Sequence, residues 1–194
     1  MSKERPILFS GPMIRAILEG RKTQTRRVLK QPEYYGCPTG DCPHSTQHEC
    51  DQAMNDPSVI ADSPYGVPGD RLWVREAWQR SFDGKVLYKA DDNKAEDVAR
   101  KMWKPSIHMP RWAARIALEV TGVRVERLDS ISDADCVAEG CAGGNGSIPN
   151  YGFSATPREH YRHVWESING EGSWDANSWV WVVEFKHIVL AVTA

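Results

Sequence analysis

The chain has 194 residues, 41% of them hydrophobic, which suits one domain, or one domain carrying sizeable insertions, with a substantial core. No apolar run approaches the roughly 18 residues that span a bilayer, so no membrane partner is expected. A net charge of −2 argues against a protein that coats nucleic acid indiscriminately.

That average hides an asymmetry. Residues 1–30 carry eight Lys and Arg against Glu4 and Glu19, a net +6, which leaves −8 on the remainder. A local positive site on an acidic body suits an anionic or nucleoside-like ligand better than an extended duplex. Five cysteines without a charged-then-apolar leader point to a reducing compartment, and cytoplasm is the expected location.

In chain order, Pro6 to Phe9 reads as a short strand. Ser10-Gly11-Pro12 opens a helix with an apolar stripe at Ile14, Ile17 and Leu18, closed by Gly20. Residues 31–66, rich in Pro, Gly, Cys and Asp, read as an inserted loop, and Pro68-Gly69-Asp70 is the turn that leads out of it. Leu72 to Glu76 and Val86 to Tyr88 read as strands, and Ala95 to Trp103 as a helix on a polar surface. The longest strand signal runs from Arg115 to Leu128, and Gly122 inside it suggests a bulge or bend.

Ser132-Asp133-Ala134-Asp135 starts a short helix ending at Glu139-Gly140. Thr156-Pro157-Arg158-Glu159 starts another, whose Tyr161, Val164, Trp165 and Ile168 form a core face. The Gly-rich stretch in 141–156 lacks the spacing of a nucleotide loop. Trp179 to Phe185 closes the chain as a strand. These elements define an α+β chain, expected to form a small, largely antiparallel β-barrel decorated by short helices, with insertions at 31–66 and 141–156.

The densest chemistry is Gly20-Arg21-Lys22-Thr23-Gln24-Thr25-Arg26-Arg27. A lysine near a hydroxyl offers a base and a nucleophile, and guanidiniums offer sites for phosphate or a polar base edge. A solvated basic turn is the plain alternative.

A second cluster is Cys37, Cys42, His44, His48 and Cys50, which supplies enough thiols and imidazoles for a structural zinc; an unliganded loop is the alternative. Trp112, beside Arg111, is a candidate to stack on a base, or else a core tryptophan. Cys136 and Cys141 flank Glu139 and are read as buried filler.

With these pieces in order, the sequence resembles the ASCH domain family, a branch of the PUA-like barrels associated with RNA and modified nucleosides. The resemblance is carried by Ile17-Leu18-Glu19-Gly20-Arg21-Lys22-Thr23-Gln24-Thr25-Arg26 and by Pro68-Gly69-Asp70-Arg71-Leu72-Trp73-Val74-Arg75-Glu76. Ile131 to Gly140 and Trp181 to Phe185 extend it, and the Trp-rich C-terminal part is similar to longer members common in phages and prophages.

The family includes small amidohydrolases acting on N4-acetylcytidine through a lysine, a threonine and a glutamate. By that resemblance the trio is Lys22, Thr25 and Glu139, with Glu76 the alternate carboxylate, and no cofactor is needed for catalysis. Amide hydrolysis needs a nucleophile, a proton acceptor and a partner for the developing oxyanion. A buried, neutral lysine would activate the threonine, and Arg21 and Arg26 would hold phosphate or oxyanion. Lys22 and Thr25 are three apart, so a regular strand would send them to opposite faces; the segment must turn between them.

The resemblance implies a nucleoside or RNA ligand and, at its most specific, hydrolysis of an acylated or otherwise modified cytidine. A non-catalytic RNA-binding module and a ribonuclease are the alternatives.

Overall fold

A computed structural model describes residues 2–30, 47–91 and 103–188. Strand β1 (Glu4–Leu8) leads into helix α1 (Gly11–Leu18) and strand β2 (Gln24–Val28). Two short helices, α2 (Gln47–Met54) and α3 (Pro57–Ala61), come next. They are followed by strands β3 (Arg71–Arg75), β4 (Trp78–Arg80), β5 (Val86–Tyr88) and β6 (Ala117–Arg127). Helices α4 (Asp133–Ala138) and α5 (Pro157–Asn169) precede the last strand, β7 (Trp179–Ile188).

The class is α+β. Five strands form one sheet in the order β1-β3-β6-β7-β2, and β4 and β5 form a separate hairpin. The β1–β3 pair is parallel; the other ladders are antiparallel. The expected barrel is therefore an open mixed sheet among the described residues, with β1 and β2 as its edges. Between Val120 and Gly122 the β6–β7 register shifts, so Gly122 does mark a bulge. A Cβ on Gly122 would lie 2.8 Å from a Glu184 carboxylate oxygen, so a side chain there would require the Glu184 carboxylate to shift.

Helices cover both faces of the sheet. On β7, Trp179, Trp181, Val183 and Phe185 point into the larger core, with Ile14 and Ile17 of α1 and Met54 and Val59 of the two short helices. The alternate residues Val180 and Val182 point into a second core with Cys136, Tyr161, Trp165 and Trp174. Period-2 alternation thus runs between two apolar layers, and β7 reads as unbroken hydrophobicity because neither face meets water.

Two expectations are corrected here. Residues 47–54 and 57–61 are helical rather than an irregular loop. Asp56 caps α3 by accepting from Ser58 N at 2.9 Å, and the Asn55 side chain exchanges two hydrogen bonds, of 2.8 and 2.9 Å, with the backbone of Val125. That side chain ties the segment to the sheet where weak periodicity gave no signal. The apolar stripes of α1 and α5 are also narrower than expected, for Leu18 and Ile168 are exposed while Ala16 is buried.

The reading of Ala95 to Trp103 as a helix lies, but for Trp103, outside the described residues. Among those described, no helix is long and apolar enough to cross a membrane.

Candidate functional site

Two helix ends build the site. Helix α1 stops in a Schellman arrangement: Gly20, at φ +72°, donates to Ile17 O (3.0 Å) and Arg21 N donates to Ala16 O (2.8 Å). Helix α4 stops the same way, with Gly140 at φ +92° donating to Val137 O and Cys141 N donating to Cys136 O.

The two ends abut. Thr23 N donates to Ala138 O at 2.8 Å, and a Cβ on Gly140 would sit 3.3 Å from the Ala16 Cβ and 3.6 Å from the Lys22 Cβ. A glycine is thus needed at 140 for its φ and for the close approach together.

That contact carries Lys22 to Glu139, 117 residues away. Lys22 Nζ donates to the Glu139 carboxylate at 2.6 Å and to its backbone carbonyl at 2.9 Å. The ammonium also satisfies one of the orphan carbonyls at the α4 C-terminus, where the helix dipole favours a cation. The Lys22 side chain is 0% exposed and that of Glu139 4%.

The second Glu139 oxygen faces Arg26 Nη1 at 3.3 Å. Arg26 pairs further with Glu126 and Asp135 and donates to Gln24 Oε1 at 2.6 Å. Against burial, which alone would lower it, Glu126 and Glu139 hold the Arg26 pKa above its ordinary value. Arg124 bridges Glu126, Asp135 and Glu184. Burial, with Glu139 beside it, pushes the Tyr161 phenol well above the usual tyrosine range.

Glu139 forms a wall shared by two adjoining clefts between α1 and α5. The smaller, about 190 Å³, is lined by Thr25, Arg26, Tyr65, Tyr161 and Trp165. The larger, about 510 Å³, is lined by Arg21, Cys141 and His160, and both take Met13, Val164 and Ile168 as apolar walls. Aromatic and aliphatic walls around a charged floor suit a flat, heteroatom-bearing ring.

The expected trio is only partly assembled. The turn demanded between Lys22 and Thr25 exists, because Lys22 precedes β2 and Thr25 lies within it. Thr25 and Glu139 share the smaller cleft. Lys22, however, lies beneath Glu139 rather than on the cleft wall, and no hydrogen bond joins its amine to Thr25.

Arg26 is likewise sequestered, its donors spent on carboxylates and Gln24, whereas Arg21 is exposed on the larger cleft beside Glu19. Glu76 is not brought to Lys22: both its oxygens accept from Arg115, at 2.9 and 3.0 Å, over a different hollow. Trp112 is exposed and lines neither cleft.

Of the cysteine and histidine cluster, Cys37, Cys42, His44 and the His48 side chain lie outside the described residues. Cys50 is disulfide-bonded and buried in the larger core. Burial pushes the Cys136 thiol up to about 11 and Cys141 up to about 12, so neither is poised as a thiolate.

Sequence reasoning missed the roles of Gln24, Glu126, Asp135, Arg124 and Glu184; alternating charge along β6 was a signal for Arg124 and Glu126 alone. It also left Tyr161 as core filler.

Ser132 caps α4 through a box with Asp135, whose carboxylate is held low, against burial, by hydrogen bonds from Ser132 and Gln24. Because α4 carries Glu139 at its end, Ser132→Ala is expected to cost about 1 kcal/mol, read as a lower urea midpoint.

No family model and no curated protein sequence matches this chain. Among solved structures it is similar to a protein of the DUF984 family from Enterococcus faecalis, at 11% identity over 100% of this chain and 85% of that one, with a TM-score of 0.42. It is also similar to an ASCH domain from Lactobacillus crispatus, at 14% identity over 97% and 81%, with a TM-score of 0.40. What the site does is therefore argued from its own residues.

Proposed function

We propose that this chain is an ASCH-type domain that takes the base of a nucleoside or RNA into the cleft between α1 and α5. The reading is carried by one observation: a buried Lys22–Glu139–Arg26 network forms the polar floor of a cleft walled by Tyr65, Tyr161 and Trp165. A carboxylate fixed by two cations offers acceptor oxygens to a base amine, and the rings offer apolar faces. The basic segment 20–27, common to the ASCH resemblance, supplies two of the three charged groups.

A second reading, hydrolysis of an N-acylated cytidine, is favoured by Thr25, which bears a hydroxyl, lining that cleft together with Glu139. Thr25 Oγ attacks the acyl carbon while its proton passes to Glu139, oriented by Lys22. The oxyanion collapses, the C–N bond breaks, and the amine leaves with that proton. Water then repeats the sequence on the threonyl ester and releases the acid. This moves the base role from Lys22, expected from the resemblance, to Glu139.

The test is to incubate the protein with N4-acetylcytidine and follow the free nucleoside by chromatography. Thr25→Ala is expected to lower turnover by about a hundredfold or more while ligand affinity stays within a few-fold. Binding without turnover in the wild type leaves the first reading and removes the second. Degradation of intact RNA would replace both with a ribonuclease, and no binding of nucleoside or RNA would remove the base-binding cleft itself.

A further inference from the structure

We infer that the base entering this cleft belongs to a single-stranded RNA, whose flanking nucleotides cross the α1 N-terminus to an aromatic platform at Trp112; the inference rests on the base-binding reading above. The larger cleft is lined by Ser10, Pro12 and Arg15, and these same residues line a further hollow of about 430 Å³ that runs on to Lys89 and Ser106. The next residue, Ile107, is 59% exposed, and beyond it Trp112 is 63% exposed.

Trp112 is held, not loose. Its indole packs edge-on against the buried Trp78 at 5.6 Å, and the Arg80 guanidinium lies 5.9 Å from its ring centre. Lys104 stands 5.0 Å from the Trp78 ring.

Charge along this route points to a polyanion. Arg15, Arg80, Lys89 and Lys104 pair with no carboxylate among the described residues, where three acids of this region are held by other cations. Glu76 is held by Arg115, Glu4 by Arg111 and Asp83 by Lys85. An anchored, half-open indole flanked by cations with no carboxylate partner among the described residues matches what a single strand needs: a stacking surface for bases and point charges for phosphates. A duplex would keep its bases from both the cleft and the indole.

The experiment measures fluorescence anisotropy of a fluorescein-labelled oligocytidine RNA of about 12 nucleotides, with cytidine affinity measured in parallel by calorimetry. RNA is expected to bind wild-type protein at least about tenfold more tightly than cytidine. Trp112→Ala is expected to weaken RNA about tenfold and to leave cytidine unchanged, with Trp112→Phe restoring part of the loss. Arg80→Ala with Lys104→Ala is expected to flatten the salt dependence of RNA binding by about 1.4 in log–log slope.

RNA no tighter than cytidine, or indifferent to Trp112→Ala, would overturn the strand path and leave the cleft reading standing. A polyaspartate peptide that binds with the same Trp112 dependence as RNA would overturn it in favour of an acidic protein partner. RNA binding that depends on Trp112 in a protein with no affinity for cytidine, and none lost on Thr25→Arg filling of the cleft, would sustain the platform and sink the cleft reading. Unchanged thermal midpoints of the Trp112 variants exclude misfolding as the cause.

Discussion

Replacing Glu139 by alanine is expected to destabilise the fold by about 3–5 kcal/mol, a larger loss than its position at a helix end suggests. The carboxylate is the shared counter-ion of Lys22 and Arg26, and both cationic side chains are 0% exposed. Removing it leaves a buried ammonium with one carbonyl partner and a buried guanidinium short of an acceptor.

For a chain of this length the thermal midpoint should fall by roughly 6–20 °C. Adding Lys22→Met to Glu139→Ala should return a large part of the loss, because the orphaned charge is then gone. A double-mutant cycle on urea midpoints measures it. Additive single effects would mean that the pair is not coupled and that the site lacks its polar floor.

Gly143→Ala is expected to cost about 3 kcal/mol or more, from strain at φ and from collision together. Gly143 sits at φ +72°, and a Cβ there would lie 2.4 Å from Ala155 O, 2.8 Å from Thr156 C and 2.9 Å from Pro157 N. All three are backbone atoms at the start of α5, and Gly144 N donates to the same Ala155 carbonyl at 2.8 Å. The loop cannot yield without displacing α5, which walls both clefts. Cytidine affinity should therefore fall along with the urea midpoint. Gly146→Ala, whose Cβ would meet nothing within 4 Å, should cost only the strain of its φ of +73°. Equal losses for the two glycines would refute the collision argument.

Much of the scaffold was legible. Thr156-Pro157-Arg158-Glu159 predicted a capping box, and Thr156 and Glu159 form one. Gly122 predicted a bulge, and the β6–β7 register slips there. Gly20 and Gly140 predicted helix ends, and both stand at positive φ. Each of these is a local decision, taken within a few residues by backbone sterics and short hydrogen bonds.

The failures have one origin. Helices α2 and α3 owe their docking to Asn55 reaching Val125, which no periodicity announces. Lys22 was read as a base facing a threonine, and it lies instead under a glutamate delivered by another helix.

Residue order alone therefore determined where α1, α4 and α5 stop or start, that β6 is interrupted at Gly122, and that a lysine, hydroxyls and arginines crowd one turn. Tertiary structure decided which of those groups remain usable. It spent Arg26 and Lys22 on carboxylates more than a hundred residues away and left Thr25, Arg21 and one face of Glu139 on the cleft. The reason is physical: caps and alternation are settled by neighbours in the chain, whereas a buried charge takes whichever counter-ion the packed sheet and helices bring within reach.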